Sequence, residues 1–193
     1  MVHGRVVYDV RLMIDPAVAA LLAGAFALLF ASAALHKLLD PARFAAAFHA
    51  YQVVPPALGR LALLVPVLEL AIAAALLAGD SRHGAAAAGA ALLLTYAVAI
   101  AINLGRGRRD LDCGCGGPRE RRPIGAWMVW RNFALGGLLG LLLLPQTARA
   151  LDATDALTIG AGTVVAALLY MSVDVLFGRA APQAARLRDG SEA

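Results

Sequence analysis

Cysteine is nearly missing from this chain, with two residues in 193. A secreted scaffold held by disulfides needs several bridges, so that class is excluded. Aromatics are scarce at 6%, and charged residues reach only 16%. Little room is left for a soluble domain. The net charge of +4 comes from arginines in the loops, so it speaks of membrane topology and not of nucleic acid.

What abounds is apolar. Hydrophobic residues make up 61% and mean hydropathy is +0.73, whereas soluble domains are nearer half apolar. Five segments approach the roughly 20 apolar residues that cross a hydrocarbon layer. They are Ala17–Leu35, Leu61–Gly79, Ala85–Ile102, Ile124–Leu144 and Ala156–Phe177. Lipid offers the backbone no partners, so each is expected to be a helix. The fold class is therefore all-α, a polytopic membrane helix bundle. Ala31-Ser32-Ala33 looks like a signal-peptidase site. The apolar run is too long for a signal core, however, and Asp9 and Asp15 precede it, so the first helix is expected to stay.

Between the first two spans, Phe44, Phe48 and Tyr51 recur at helical spacing and Pro55-Pro56 closes the run. With Arg43 and His49 they form a short amphipathic helix expected at the membrane interface. Residues 178–193 are polar and expected to be a disordered tail. The expected layout is an N-terminal segment over 1–15, a core over 16–145, a fifth helix over 146–177, and the tail.

Five spans alternate the loops between two sides. Arg5, Arg11, Arg82 and Arg149 fall on one side. Lys37 and eleven arginines, from Arg43 to Arg188, fall on the other, which gives 4 against 12 with only Arg131 inside a span. The positive-inside rule puts the second side, with the C-terminus, in the cytoplasm of a bacterial inner-membrane protein. The N-terminus lies outside.

The two cysteines sit on that second side, in Cys113-Gly114-Cys115-Gly116-Gly117. A vicinal dithiol in a glycine-rich loop has three readings. In the first, a thiolate attacks a partner's disulfide and the second thiol resolves the mixed disulfide. Gly114 lets the sulfurs meet, and the small ring is strained and easily reduced. Arg108, Arg109, Arg119 and Arg121 favour the thiolate. In the second, the thiols bind a metal with His36 and His49, though no standard zinc spacing is present, so no metal is assigned. In the third, they are inert loop thiols.

Polar residues inside the spans cluster at the same end. Glu69 lies eight residues into the second span, about 12 Å deep, and Arg131 lies seven residues into the fourth, about 10 Å deep. A lone charge there costs about 3 kcal/mol or more. Matching depth suggests that the two form a pair, serving either as a proton relay or polar pocket for a quinone or a partner's thiols, or as a packing device. Lys37 after His36 reads as a helix C-cap, and Asp174 as interfacial. Pro66 either opens the helix beside Glu69 or kinks it. The arginine runs at 106–109 and 119–122 suit anionic lipid headgroups. Gly136-x-x-x-Gly140 is a helix-packing surface.

In order, the chain shows His36-Lys37-Leu38, Asp40-Pro41, Phe44, Tyr51-Gln52-Val53-Val54-Pro55 and Pro66-Val67-Leu68-Glu69-Leu70. Asn103-Leu104-Gly105-Arg106-Gly107, the Cys113–Gly117 loop and Arg131-Asn132 follow. Over residues 18–144 this series resembles the MauE family of methylamine-utilisation membrane proteins, related to DoxX-like proteins. The resemblance implies a four-helix core, here with a fifth helix appended. It implies a role in methylamine metabolism, in maturing a disulfide-rich client such as the methylamine dehydrogenase small subunit. The partner would be a thioredoxin-like protein. DoxX-like relatives suggest a second reading, a quinone-linked oxidoreductase subunit, in which a quinone is the cofactor. A third is a non-catalytic scaffold. The chain departs from the family in having Gly116-Gly117 where Phe-Gly is expected. Client maturation of that kind is periplasmic, whereas the charge count puts the dithiol on the cytoplasmic face. Either electrons cross the membrane from thioredoxin, or the chain serves another redox pathway. Cys113, Cys115, Glu69 and Arg131 are thus the candidate catalytic residues.

Overall fold

The computed structural model describes residues 12–113 and 123–189, without the side chains of Pro56, Leu58, Arg60 and 178–189. Its architecture is an all-α bundle. Helix α1 is Pro16–Leu39, α2 is Pro41–Ala50, and α3 is Leu64–Leu77 after a 3-10 stretch over Pro56–Leu63. Helix α4 is Arg82–Gly105, α5 is Ala126–Gly140 with a closing 3-10 turn at Leu141–Leu143, and α6 is Ala153–Asp189. Four helical stretches are long and apolar enough to cross a membrane: Pro16–Leu39, Gly79–Gly105, Ala126–Leu143 and Ala153–Phe177. The second expected span, Leu61–Gly79, is instead a shorter apolar helix over Leu61–Leu77.

Two Asp-Pro pairs start helices in the same way. Asp15 accepts from the N–H of Ala17 at 2.8 Å and Asp40 from that of Arg43 at 3.1 Å, each followed by proline in the first turn. Both use the side chain to satisfy a donor that the helix cannot, while proline supplies the right φ and lacks the redundant N–H. Pro66 follows the same logic. It is the third residue of α3, at the junction with the preceding 3-10 stretch, so it marks where the α-helix starts and does not kink its interior.

Helix α1 packs along α3, α4 along α5, and α3 against α4, which builds the four-helix core. The inner stripe of α1 is Ala19, Ala23, Phe26, Phe30, Ala34 and Lys37, spaced by threes and fours and all buried. Gly89 of α4 lets the helices close up, because a Cβ there would lie 2.7 Å from Leu139 and 3.0 Å from the Phe30 ring. Of the expected Gly136/Gly140 surface, Gly136 faces Ala90 and Leu94 of α4 whereas Gly140 has open space.

Helix α6 lies outside this core and packs along α1, where Gly24 meets Thr163 and Gly162 meets Leu21. It continues to Asp189, through most of the stretch read from the sequence as a disordered tail; residues 190–193 lie outside the described residues. At the end away from the cysteines, Ile14 exchanges backbone hydrogen bonds with Pro145 and Thr147. Arg149 there bridges Asp15 and Asp155, which ties α1, the α5–α6 connection and α6 together.

Candidate functional site

The apolar core is split into two clusters. The larger contains Phe30, Ile72, Leu76, Leu93 and Leu139; the smaller contains Ile100, Ile124 and Met128. Along α4, Tyr96 comes between Leu93 and Ile100. Along α5, Asn132 comes between Met128 and Leu139. A polar layer thus separates the clusters, and it lies toward the cysteine loop.

Glu69 sits at the centre of that layer. Its carboxylate accepts from Lys37 Nζ at 2.7 and 2.8 Å and from the Tyr96 hydroxyl at 2.8 Å. Lys37 also donates to the Ala33 carbonyl at 3.4 Å, and its ammonium lies over the Phe44 and Tyr96 rings. Glu69 is fully buried and Lys37 is 4% exposed. The ion pair, the phenol and the two rings together offset the cost of taking both charges out of water. Lys37 is therefore no helix cap, and the expected partnership of Glu69 with Arg131 is corrected: Lys37 takes that place.

Arg131 instead pairs with Asp174 of α6 at 2.5 Å. Its guanidinium lies 4.9 Å from the centre of the Trp127 ring and 5.9 Å from that of Tyr170. Trp127 in turn stacks on Phe177 at 5.8 Å. Two ion pairs, one buried and one half-buried, are thus built to one plan, each cation set beside two aromatic rings. One holds α1 to α3 and α4; the other holds α6 to α5. Asp174 is half-buried and not merely interfacial.

Toward the loop, Asn103 is fully buried at the end of α4. It donates to the Tyr51 and Ala99 carbonyls at 2.9 and 3.0 Å and accepts from Arg108 at 3.1 Å. Arg108 also reaches the Gln52 side chain, and Arg106 reaches the Gln52 carbonyl. Gln52 has a positive φ of 49°, a left-handed turn that ends the α2 connection and aims both its oxygens at these arginines. Arg106 and Arg108 thus bind the α2 turn, whereas the sequence suggested lipid headgroups for both and the thiolate for Arg108.

The cysteine loop is pinched at its base. Ile124 donates its N–H to Leu111 at 3.0 Å, and Asp112 and Pro123 form an antiparallel bridge. Arg43 of α2 holds Asp112 from the side, through Nε at 3.2 Å and a terminal nitrogen at 2.7 Å. That hydrogen bond raises Arg43 above its ordinary value, and burial opposes the rise. The charges of Asp112, Asp40 and Cys113 add to it through space. Cys113 is half-buried against the smaller apolar cluster, which also gathers Tyr51, Leu104, Leu111 and Trp127. Cys115, Arg119 and Arg121 lie outside the described residues, and Arg109 is exposed. Among the described residues no three His, Cys, Asp or Glu side chains gather as metal ligands.

The structure thus brings Glu69 together with Lys37 and Tyr96, and Cys113 together with Arg43 and Asp112. It sets Arg131 apart with Asp174. The family model described as methylamine utilisation protein MauE matches residues 15–145. The chain belongs to the MauE family. The match takes in α1 to α5 with both Lys37–Glu69 and the cysteine loop, and it stops before α6, so Arg131 lies inside it and Asp174 outside. No curated protein and no solved structure matches the chain. The chain is accordingly a multi-pass membrane protein of the MauE family, with a helix added to the family core.

Proposed function

We propose that this MauE-family protein is a thiol–disulfide component that supports redox maturation of a partner protein through Cys113 and Cys115. The anchoring of Cys113 carries the reading. A thiol that must meet a partner's sulfur gains from being held in place, and Cys113 directly follows a residue fixed by both the Asp112–Pro123 bridge and Arg43.

In the oxidised loop, a client thiolate attacks the Cys113–Cys115 disulfide and one loop sulfur leaves as thiolate. The second client thiol attacks the mixed disulfide. The client gains a disulfide, and the loop gains two electrons and becomes the dithiol. A thioredoxin-like partner's disulfide takes those electrons away. The client class is that of the methylamine dehydrogenase small subunit, in keeping with the family. The distribution of cations favours a loop and C-terminus on the cytoplasmic face of the bacterial inner membrane, with the N-terminus outside; there the direct exchange serves a cytoplasmic client, and a periplasmic client of the family's kind requires the loop on the other face.

The second reading is a quinone-linked oxidoreductase subunit. It is favoured by the Tyr96 hydroxyl and Lys37 ammonium on Glu69, groups able to hold and pass a proton in the membrane.

The test is replacement of both Cys113 and Cys115 by serine, with client maturation measured in cells that carry the variant at normal abundance. The thiol reading expects loss of maturation, and full activity would sink it. The quinone reading expects the cysteine variant to work and Glu69→Gln to fail. A scaffold expects both variants to act only through protein abundance.

A further inference from the structure

Among the described residues, the other arginines bonded at the cysteine end of the bundle are committed elsewhere. Arg106 and Arg108 are bonded to Gln52 and Arg131 to Asp174. Arg43 is different, because its bond goes to the residue that directly precedes Cys113. From α2 and its turn come Arg43, Asp40, His49 and Tyr51. From the α4 end come Arg108, Arg109, Asp110 and Asp112. From α5 and α6 come Arg131 and Asp174, and deeper lie Lys37 and Glu69. Lys37–Glu69, Arg43–Asp112 and Arg131–Asp174 are ion pairs, whose fields largely cancel at a distance. The Arg43–Asp112 pair is the nearest in sequence and is only partly exposed, at 24% and 18% of the side-chain surface. Water screens such a pair incompletely.

We infer that the Arg43–Asp112 pair sets the thiolate character of Cys113, Arg43 as the positioning cation and Asp112 as its brake. This rests on the thiol–disulfide reading for its purpose, although the electrostatic claim stands alone. Arg43 stabilises negative charge on the neighbouring sulfur and neutralises Asp112. Asp112 draws the guanidinium onto itself and keeps the thiol from ionising too far, which would weaken it as a nucleophile. Because Asp112 is also half of the loop's backbone bridge, the same pair fixes where the sulfur sits.

The two partners therefore have opposite effects, which no purely structural role would give. The test measures the rate of iodoacetamide alkylation against pH on the full-length protein in detergent, in a Cys115→Ser background where Cys113 is the only cysteine. Arg43→Gln is expected to move the midpoint of the profile up by about one pH unit. Asp112→Asn is expected to move it down, and Arg43→Lys to leave it close to the parent. Shifts of the same sign for Arg43→Gln and Asp112→Asn, or no shift in either, would overturn the inference. A Cys113→Ser, Cys115→Ser double variant with full maturation activity would remove the thiol reading while leaving these shifts intact, so the two failures are distinguishable.

Discussion

Lys37 Nζ lies 2.7 Å from one oxygen of Glu69 and 2.8 Å from the other, inside a bundle where the two side chains are 4% and 1% exposed. The two residues are 32 positions apart. They meet because both lie in the inner stripes of their helices: Ala34 precedes Lys37 by one turn, and Glu69 lies between buried Pro66 and the buried Ile72, Ala73 and Leu76. The pair joins α1 to α3.

Breaking this pair leaves one buried charge alone. Lys37→Met or Glu69→Gln is expected to cost about 3–5 kcal/mol. The double variant Lys37→Met, Glu69→Leu should cost less than the sum of the singles, since no orphan charge remains. Unfolding in detergent, run as a double-mutant cycle, reads this directly.

Tyr96→Phe removes one hydrogen bond to a charged acceptor and leaves the ring beside Lys37 in place. The expected loss is smaller, about 0.6–2 kcal/mol. A loss as large as that of Glu69→Gln would mean that the hydroxyl, and not the ammonium, holds the carboxylate.

Arg131 and Asp174 hold α6 to the family core. Asp174→Asn should loosen α6 around residue 174 without melting the core, seen as faster hydrogen exchange in α6 alone. Exchanging the two residues, Arg131→Asp with Asp174→Arg, should recover part of the protection.

Glycine positions separate packing from propensity. Gly89→Leu should destabilise by about 1–3 kcal/mol, because its side chain has no room beside Leu139 and Phe30. Gly137→Ala, which meets nothing within 4 Å, should be neutral or gain up to about 1 kcal/mol in helix α5. Thermal unfolding of the two variants checks both signs.

At the opposite end of the bundle, Arg149 holds Asp15 below its ordinary value of 3.8, chiefly by a hydrogen bond, with the Ala17 N–H helping. Folding thus favours the charged carboxylate. Its contribution is complete above pH of about 4 and is lost as pH falls through the lower folded value. Unfolding midpoints should therefore drop below about pH 4, and Asp15→Asn should reduce the drop.

The apolar runs made the bundle legible, because a membrane permits little besides helices. Cys113 and Glu69 stood out as the wrong chemistry for their surroundings. Lys37 did not, because a cation in a last turn normally serves the helix dipole. The signal was its place in the stripe, three residues after Ala34 and seven after Phe30. Tyr96 was hidden likewise, since tyrosine is unremarkable in an apolar helix. Depth alone matched Glu69 with Arg131, but depth fixes only one coordinate. Rotation about the helix axes decides which residues meet, and those rotations come from the packing of small residues such as Gly89 and Gly136.

The central claim is that Cys113 and Cys115 exchange disulfides with a partner. Trapping tests it most directly: cells carrying Cys113→Ser, Cys115→Ser or both are quenched with acid and alkylating reagent, then run on non-reducing gels. The account predicts that one single variant accumulates a disulfide-linked complex with the client, released by reductant and missing from the double variant. Neither single variant forming such a complex, with client maturation intact in all three, would contradict it.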